Sequence, residues 1–257
     1  MYDFTLVDAH VHPFINPDNS ICQYALTRKP EDMVAKLKEV GVTLCCGSAI
    51  VPGSWLATWE EVAQCNEECF EFADRYPDFL IPGIHIHAMF AKESCEEIQK
   101  YFDAGKLHWI GEIVPYHTGT QNYAVKTLFQ VYELLSALEL PLNLHPTGLK
   151  DIEVIVKNFP KLNVVMAHPA ERDSYLAKIE LMKKYSNLYL DLSGTGIFRW
   201  GMLTHGVNEI GAERFIYGSD FPVCNPAMYY AGVKAEGLCE KDEELIFSGN
   251  FRRLAHL

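Results

Sequence analysis

Apolar residues along the chain fall into two alternating patterns. Short runs, almost continuous in Val, Ile, Leu and Cys, occupy residues 4–12, 42–50, 79–87, 107–115, 141–145, 163–168, 188–193 and 214–220. Parallel strands covered on both faces read this way. Between them lie longer stretches whose apolar residues recur three and four apart: 30–40, 59–76, 94–104, 123–138, 152–159, 174–185, 202–210 and 227–238, with 243–254 closing the chain. In the first of these Met33, Val34, Leu37 and Val40 share a face, and Gly41 supplies the stop. Eight strand–helix units at about 32 residues each predict one α/β domain spanning residues 1–257, a single (β/α)8 TIM barrel. A doubly wound open sheet competes, but its first strand normally enters a Gly-rich phosphate turn, whereas here that strand ends in His10-Val11-His12-Pro13.

Charge and composition narrow the partners. With 22 Lys and Arg against 34 Asp and Glu, the net charge is −12, which gives no overall footprint for nucleic acid or an anionic membrane. No run reaches the roughly 20 apolar residues that cross a bilayer, and residues 1–8 do not read as a secretory leader. The eight cysteines show neither a disulfide framework nor a zinc-knuckle spacing and read as free thiols, the buried ones acting as small hydrophobes. A cytoplasmic location, a small-molecule substrate and a homodimeric assembly are the matching expectations.

Ten histidines are the unusual count, and six of them close strands. Functional side chains of a barrel project from the C-terminal strand ends. The polar residues there are His10 and His12, His85 and His87, Glu112, His145, His168, Asp191 and Asp220. In Asp8-Ala9-His10-Val11-His12 strict alternation puts Asp8, His10 and His12 on one side, where two imidazoles converge on one metal ion. Asp8 then either fixes the tautomer of a ligand or sits in the barrel floor. His145-Pro146 and His168-Pro169 each leave an imidazole at the rim, because proline ends the ladder. Glu112 follows Gly111, and a buried carboxylate there must be paired or metal-bound. Asp220, at the tip of the eighth strand, lies beside the first strand once the barrel closes.

The set Asp8-Ala9-His10-Val11-His12, His145, His168 and Gly218-Ser219-Asp220-Phe221-Pro222, with the closing Gly249-Asn250-Phe251-Arg252-Arg253-Leu254, resembles the amidohydrolase superfamily, and within it the amidohydrolase-2 group. That group includes aminocarboxymuconate-semialdehyde and hydroxybenzoate decarboxylases. The resemblance implies a metal-dependent barrel enzyme, usually a zinc one, that uses water as nucleophile. His10, His12, His145, His168 and Asp220 match the family's site positions. Glu112 departs from the mononuclear decarboxylase pattern and is similar to the fourth-strand glutamate of branches that bridge two metals.

These residues predict a hydrolase of a small ester, lactone, amide or similar bond. The ligands are His10, His12, Glu112, His145, His168 and Asp220, around one or two divalent ions with zinc favoured over manganese or iron. Asp220 and His168 are the expected catalytic residues, as proton acceptor and substrate polariser. His85, His87 and His117 are expected at the rim as substrate contacts. The alternative is a non-oxidative decarboxylase of an aromatic or unsaturated acid, weighed lower because Glu112 adds negative charge and family decarboxylases generally run longer. A non-catalytic metal-binding barrel is the lesser alternative.

Overall fold

The protein is described by a computed structural model covering residues 5–24, 28–53, 56–120 and 122–257. Eight parallel strands follow one another around the sheet in chain order: β1 (Leu6–Val11), β2 (Val42–Gly47), β3 (Leu80–Ile84), β4 (Trp109–Ile113), β5 (Leu142–Leu144), β6 (Val164–Met166), β7 (Leu188–Asp191) and β8 (Phe215–Ile216). The circle closes where Ala9 N–H donates to the Tyr217 carbonyl at 3.0 Å and His12 N–H to the Phe221 carbonyl at 2.8 Å. This is the (β/α)8 barrel expected from the alternating patterns. Residue 4, the expected start of the first strand, lies outside the described residues.

Helices pack outside the strands where local signals start and stop them. Pro30 opens the helix Pro30–Val40 and Gly41, at φ +100°, ends it, while Met33, Val34 and Leu37 are buried against the sheet. Thr58 and Glu61 form a reciprocal capping box on the helix Trp59–Arg75. The predicted closing helix instead comprises the helix Glu240–Glu244, a π-helical turn and the helix Asn250–Ala255.

The strands are shorter than the apolar runs that predict them, and the trimming falls mostly at their C-terminal ends. Ladder bonding stops before the polar residue that closes several runs, so that residue is free to turn inward. His168 and Asp220 do so with φ near +60°, a conformation in which His and Asp are over-represented among non-glycine residues. Two apolar layers hold the barrel. The outer one joins strands to helices through residues such as Leu6, Met33, Cys45 and Phe72. In the inner one Val7, Leu44, Trp109, Val165, Tyr189 and Ile216 meet Phe251 and Leu254 of the last helix. No helix among the described residues is long and apolar enough to cross a membrane, and all eight cysteines are free thiols.

Candidate metal centre

Two strands that carry candidate ligands are irregular at the residue concerned. Between Asp8 and Val11, β1 takes three steps where β2 takes two; between Ile110 and Ile113, β4 does the same against β5. Such bulges break the alternation of side chains and re-aim one of them. His10 sits in the first and Glu112 in the second. Gly111 makes the second bulge feasible: it has φ +98°, and a Cβ there would lie 2.0 Å from the Asn143 carbonyl oxygen.

The β1 bulge also corrects the reading of Asp8, which does not share a face with His10 and His12. Asp8 Oδ1 accepts from Ser219 N–H at 2.9 Å and Oδ2 from the Ser219 hydroxyl at 2.6 Å. The carboxyl, which burial pushes up to about 6, ties the start of the barrel to the tip of β8 rather than orienting a ligand ring.

That orienting part falls to Asp191, at the end of β7. His10 Nδ1 lies 3.0 Å from Asp191 Oδ2 and 3.0 Å from Ser193 Oγ. The Ser193 hydroxyl donates to Asp191 Oδ1, so its oxygen is free to accept from His168 Nδ1, also at 3.0 Å. Both imidazoles therefore carry their proton on Nδ1 and turn Nε2 toward Glu112. Asn143 Nδ2–H donates to Asp191 Oδ2, the oxygen facing His10, at 3.0 Å. His12 is oriented in the same way, its Nδ1–H donating to the Ser48 carbonyl at 3.0 Å.

Glu112 stands in the middle of these rings. Its Oε2 is 3.4 Å from His10 Nε2 and 3.7 Å from His12 Nε2; its Oε1 is 3.1 Å from His145 Nδ1 and 3.5 Å from His168 Nε2. Asp220 Oδ1 completes the first side, 3.2 Å from His12 Nε2 and 3.9 Å from His10 Nε2. Two ligand sets result, His10 with His12 and Glu112, and Glu112 with His145 and His168, and within each the ligand atoms lie within 4.8 Å of one another.

The donor set fits divalent ions. His10 Nε2 is buried and has no hydrogen-bond partner, as a ligand lone pair does. Burial opposes charge on His10, but Asp191 and Glu112 outweigh it and raise the imidazole well above its usual range. Burial likewise pushes the Glu112 carboxyl up, and His10, His145 and His168 reverse this and hold it well below 4.5. Glu112, Asp191 and Asp220 thus converge on a place that favours positive charge. Among the described residues lining the adjoining cavity, of about 470 Å³, there is no Lys or Arg to supply it.

The cavity wall includes His12, Glu112, His145, His168 and Asp220, and Val51, Tyr116 and Val223 are among its less polar residues, with Ile21, Ile50 and Pro52. His117 lines it too. His85 and His87 do not. His85 is buried behind the wall with Nε2–H on the Ala49 carbonyl at 2.7 Å, and His87 Nδ1 accepts from Met89 N–H at 3.1 Å to cap a turn. Burial lowers the His85 imidazole to about 4; burial, with His85 and His12 nearby, lowers that of His117 to about 3. Ser193 is absent from the residues singled out in the sequence, and Asp191 appears there only as a strand end. The one available signal is the Asp-x-Ser spacing as β7 closes. Lys178 is also unforeseen: burial lowers its amine to about 8, and Nζ donates to the carbonyl of His168, fixing the turned backbone there.

A protein family described as amidohydrolase matches residues 7–255. Among the curated proteins none matches the chain. Solved structures with the same fold include a 2,6-dihydroxybenzoate decarboxylase from Rhizobium, with a TM-score of 0.72, 15% identity and coverage of 100% of this chain and 99% of that one. A 5-carboxyvanillate decarboxylase from Novosphingobium aromaticivorans, complexed with manganese and 4-hydroxy-3-methoxy-5-nitrobenzoic acid, has a TM-score of 0.76 at 14% identity, covering 99% and 97%. A dihydroxybenzoic acid decarboxylase from Polaromonas, with bound manganese and the inhibitor 2-nitroresorcinol, has a TM-score of 0.70 at 15% identity, covering 100% and 98%.

Proposed function

The chain belongs to the amidohydrolase family, and from the geometry of its centre we propose that it is a metal-dependent hydrolase of a small-molecule ester, lactone, amide or similar bond. The observation that carries this reading is the placement of Glu112, whose two oxygens face two different pairs of imidazoles. His10, His12 and Asp220 would hold one divalent ion and His145 and His168 a second, with one Glu112 oxygen directed to each. An imidazole-rich set favours zinc, and the carboxylates also suit manganese. Ions held there supply Lewis-acid polarisation of the scissile group and bring the pKa of coordinated water to about 7.

The residues of the chain do the rest. Asp220 is part of the cavity wall and accepts a proton from the attacking water, returning it to the leaving group. His168 presents Nε2 from the opposite side of Glu112, where it polarises the substrate or serves as a ligand. Asp191 and Ser193 hold the rings of His10 and His168 in one tautomer, so no reorientation is needed as charge develops. Val51, Tyr116 and Val223 give the substrate an apolar wall.

Decarboxylation of an aromatic or unsaturated acid is the second reading, favoured by the decarboxylases among the similar structures. Against it stand the negative Glu112 at the centre and the lack of Lys or Arg among the described lining residues to receive a carboxylate. The test is to strip the chain with chelator, load it with manganese, count the ions and assay esters, lactones and amides beside aromatic acids. Two ions per chain, one in Glu112→Gln, and hydrolytic turnover are expected. A single ion unaffected by that substitution removes the bridge. Release of carbon dioxide without hydrolysis establishes the decarboxylase, and no turnover of either class leaves a metal-binding barrel.

A further inference from the structure

At the wall of the cavity, with His117 lining it and Cys65 and His85 behind, lies a second group of side chains, able to ligate a metal, that the proposed reaction does not use. Cys65, on the helix Trp59–Arg75, meets His85, just past β3, and His117, in the turn after β4. Cys65 Sγ and one ring nitrogen of each histidine lie within 4.8 Å of one another. All three residues are buried, with 2%, 1% and 2% of their surface exposed. The two imidazoles pack edge to face, their centres 5.0 Å apart.

Hydrogen bonding leaves donor atoms spare in this group. His85 gives its Nε2 proton to the Ala49 carbonyl, so its Nδ1 holds a lone pair, and that atom has no partner. His117 Nε2 accepts from Val51 N–H at 3.2 Å, and its Nδ1 is likewise without a partner. The Cys65 thiol donates to the same Ala49 carbonyl at 3.3 Å. Buried polar atoms are as a rule partnered. Two that are not belong to imidazoles grouped with a thiol, and a set of one sulfur and two imidazoles selects zinc or copper(I) over magnesium, calcium or manganese.

We propose that Cys65, His85 and His117 bind one thiophilic transition-metal ion, Zn2+ in first place, at a site separate from the Glu112 centre. On binding, the Cys65 S–H bond is replaced by a sulfur–metal bond and the proton leaves to solvent, while both imidazoles enter in their neutral form. An approach route is present. Cys65 lines a surface cleft of about 520 Å³ together with Glu61, Glu67, Glu68 and Glu71, and this negative field gathers cations toward the thiol. Val51 lines both that cleft and the substrate cavity, so an ion on His117 braces the wall between them.

Cobalt(II) substitution of the full chain, freed of metal by chelation, tests the site. A near-ultraviolet thiolate-to-cobalt charge-transfer band is expected, because the Glu112 centre has no sulfur among its ligand candidates. The band should persist in Glu112→Gln and vanish in Cys65→Ser, with one ion fewer per chain. Absence of the band from the folded native chain at saturating cobalt overturns the proposal. So does a band that survives Cys65→Ser, which would belong to Cys224, whose Sγ lies 3.9 Å from Asp220 Oδ2. If circular dichroism shows Cys65→Ser unfolded, His117→Asn replaces it and must lose one ion and alter the band; unchanged stoichiometry and spectrum overturn the site.

Discussion

The two ends of the barrel are built from the same strands and are chemically opposite. At the N-terminal end the interior is filled by Val7, Leu44, Trp109, Val165 and Ile216, and the last helix caps it with Phe251, whose ring lies 5.1 Å from that of Trp109. Asn250 fastens this cap by donating to the carbonyls of Ala212 and Phe215, both at 2.8 Å. At the C-terminal end the interior holds His10, His12, Glu112 and Asp191, all buried. Burying such groups costs free energy unless each finds a partner. The apolar end supplies the burial that stabilises the fold, and the polar end is thereby free to be shaped for an ion and a substrate.

Substitutions at each end should therefore affect different observables. The largest effect is expected from Asp220→Asn, which should keep its ions, because the amide oxygen still ligates, and lose at least about 10²-fold in kcat, because that amide no longer takes the proton; turnover near the native rate would take Asp220 out of that role. Next is Phe251→Ala at the other end. It should cost about 3–5 kcal/mol in denaturant unfolding while the folded protein keeps its metal affinity and kcat. A loss of metal affinity there would show that the two ends are not independent. Asp191→Asn should weaken metal binding about 10–100-fold, measured by chelator competition, because His10 loses the carboxylate that sets its tautomer.

The smallest effect concerns pH. Burial opposes ionisation of Asp191, but His10 outweighs it and holds the carboxyl below its ordinary 3.8. A depressed carboxylate contributes stability that is complete above its unfolded value and is lost as pH falls toward the folded one. In metal-free protein the stability gap between the native chain and Asp191→Asn should therefore be largest at about pH 5, where Asp191 is ionised and His10 protonated, and shrink as pH falls below about 4. The gap produced by Phe251→Ala should not change over the same range; a gap at Asp191 that ignores pH would mean that its bond to His10 is not ionic.

The sequence makes some of this centre legible and hides the rest. His12, His145, His168 and Asp220 close apolar runs and His10 and Glu112 lie within three residues of such an end, and a residue near the C-terminal end of a barrel strand lies at the active end wherever the strand begins. Asp8 reads incorrectly because strict alternation does not foresee the extra residue in β1. Asp191 is visible as a strand end, but its role is not, because its partner His10 is 181 residues away. His85 and His87 have the same alternating spacing as His10 and His12, yet β3 ends at Ile84 and both rings turn into hydrogen bonds outside the cavity. Cys65 reads as an ordinary helical core position until β3 and the turn after β4 bring two imidazoles to it.

The sequence by itself determined the number of strand–helix units, their order and the residue type that ends each strand, because periodicity and residue chemistry are local. Tertiary structure alone decided which of those side chains meet. The bulges in β1 and β4 turn His10 and Glu112 toward each other, and β7 brings Asp191 under His10. Register and packing between distant segments set those encounters, and neither is written in the spacing of any one segment.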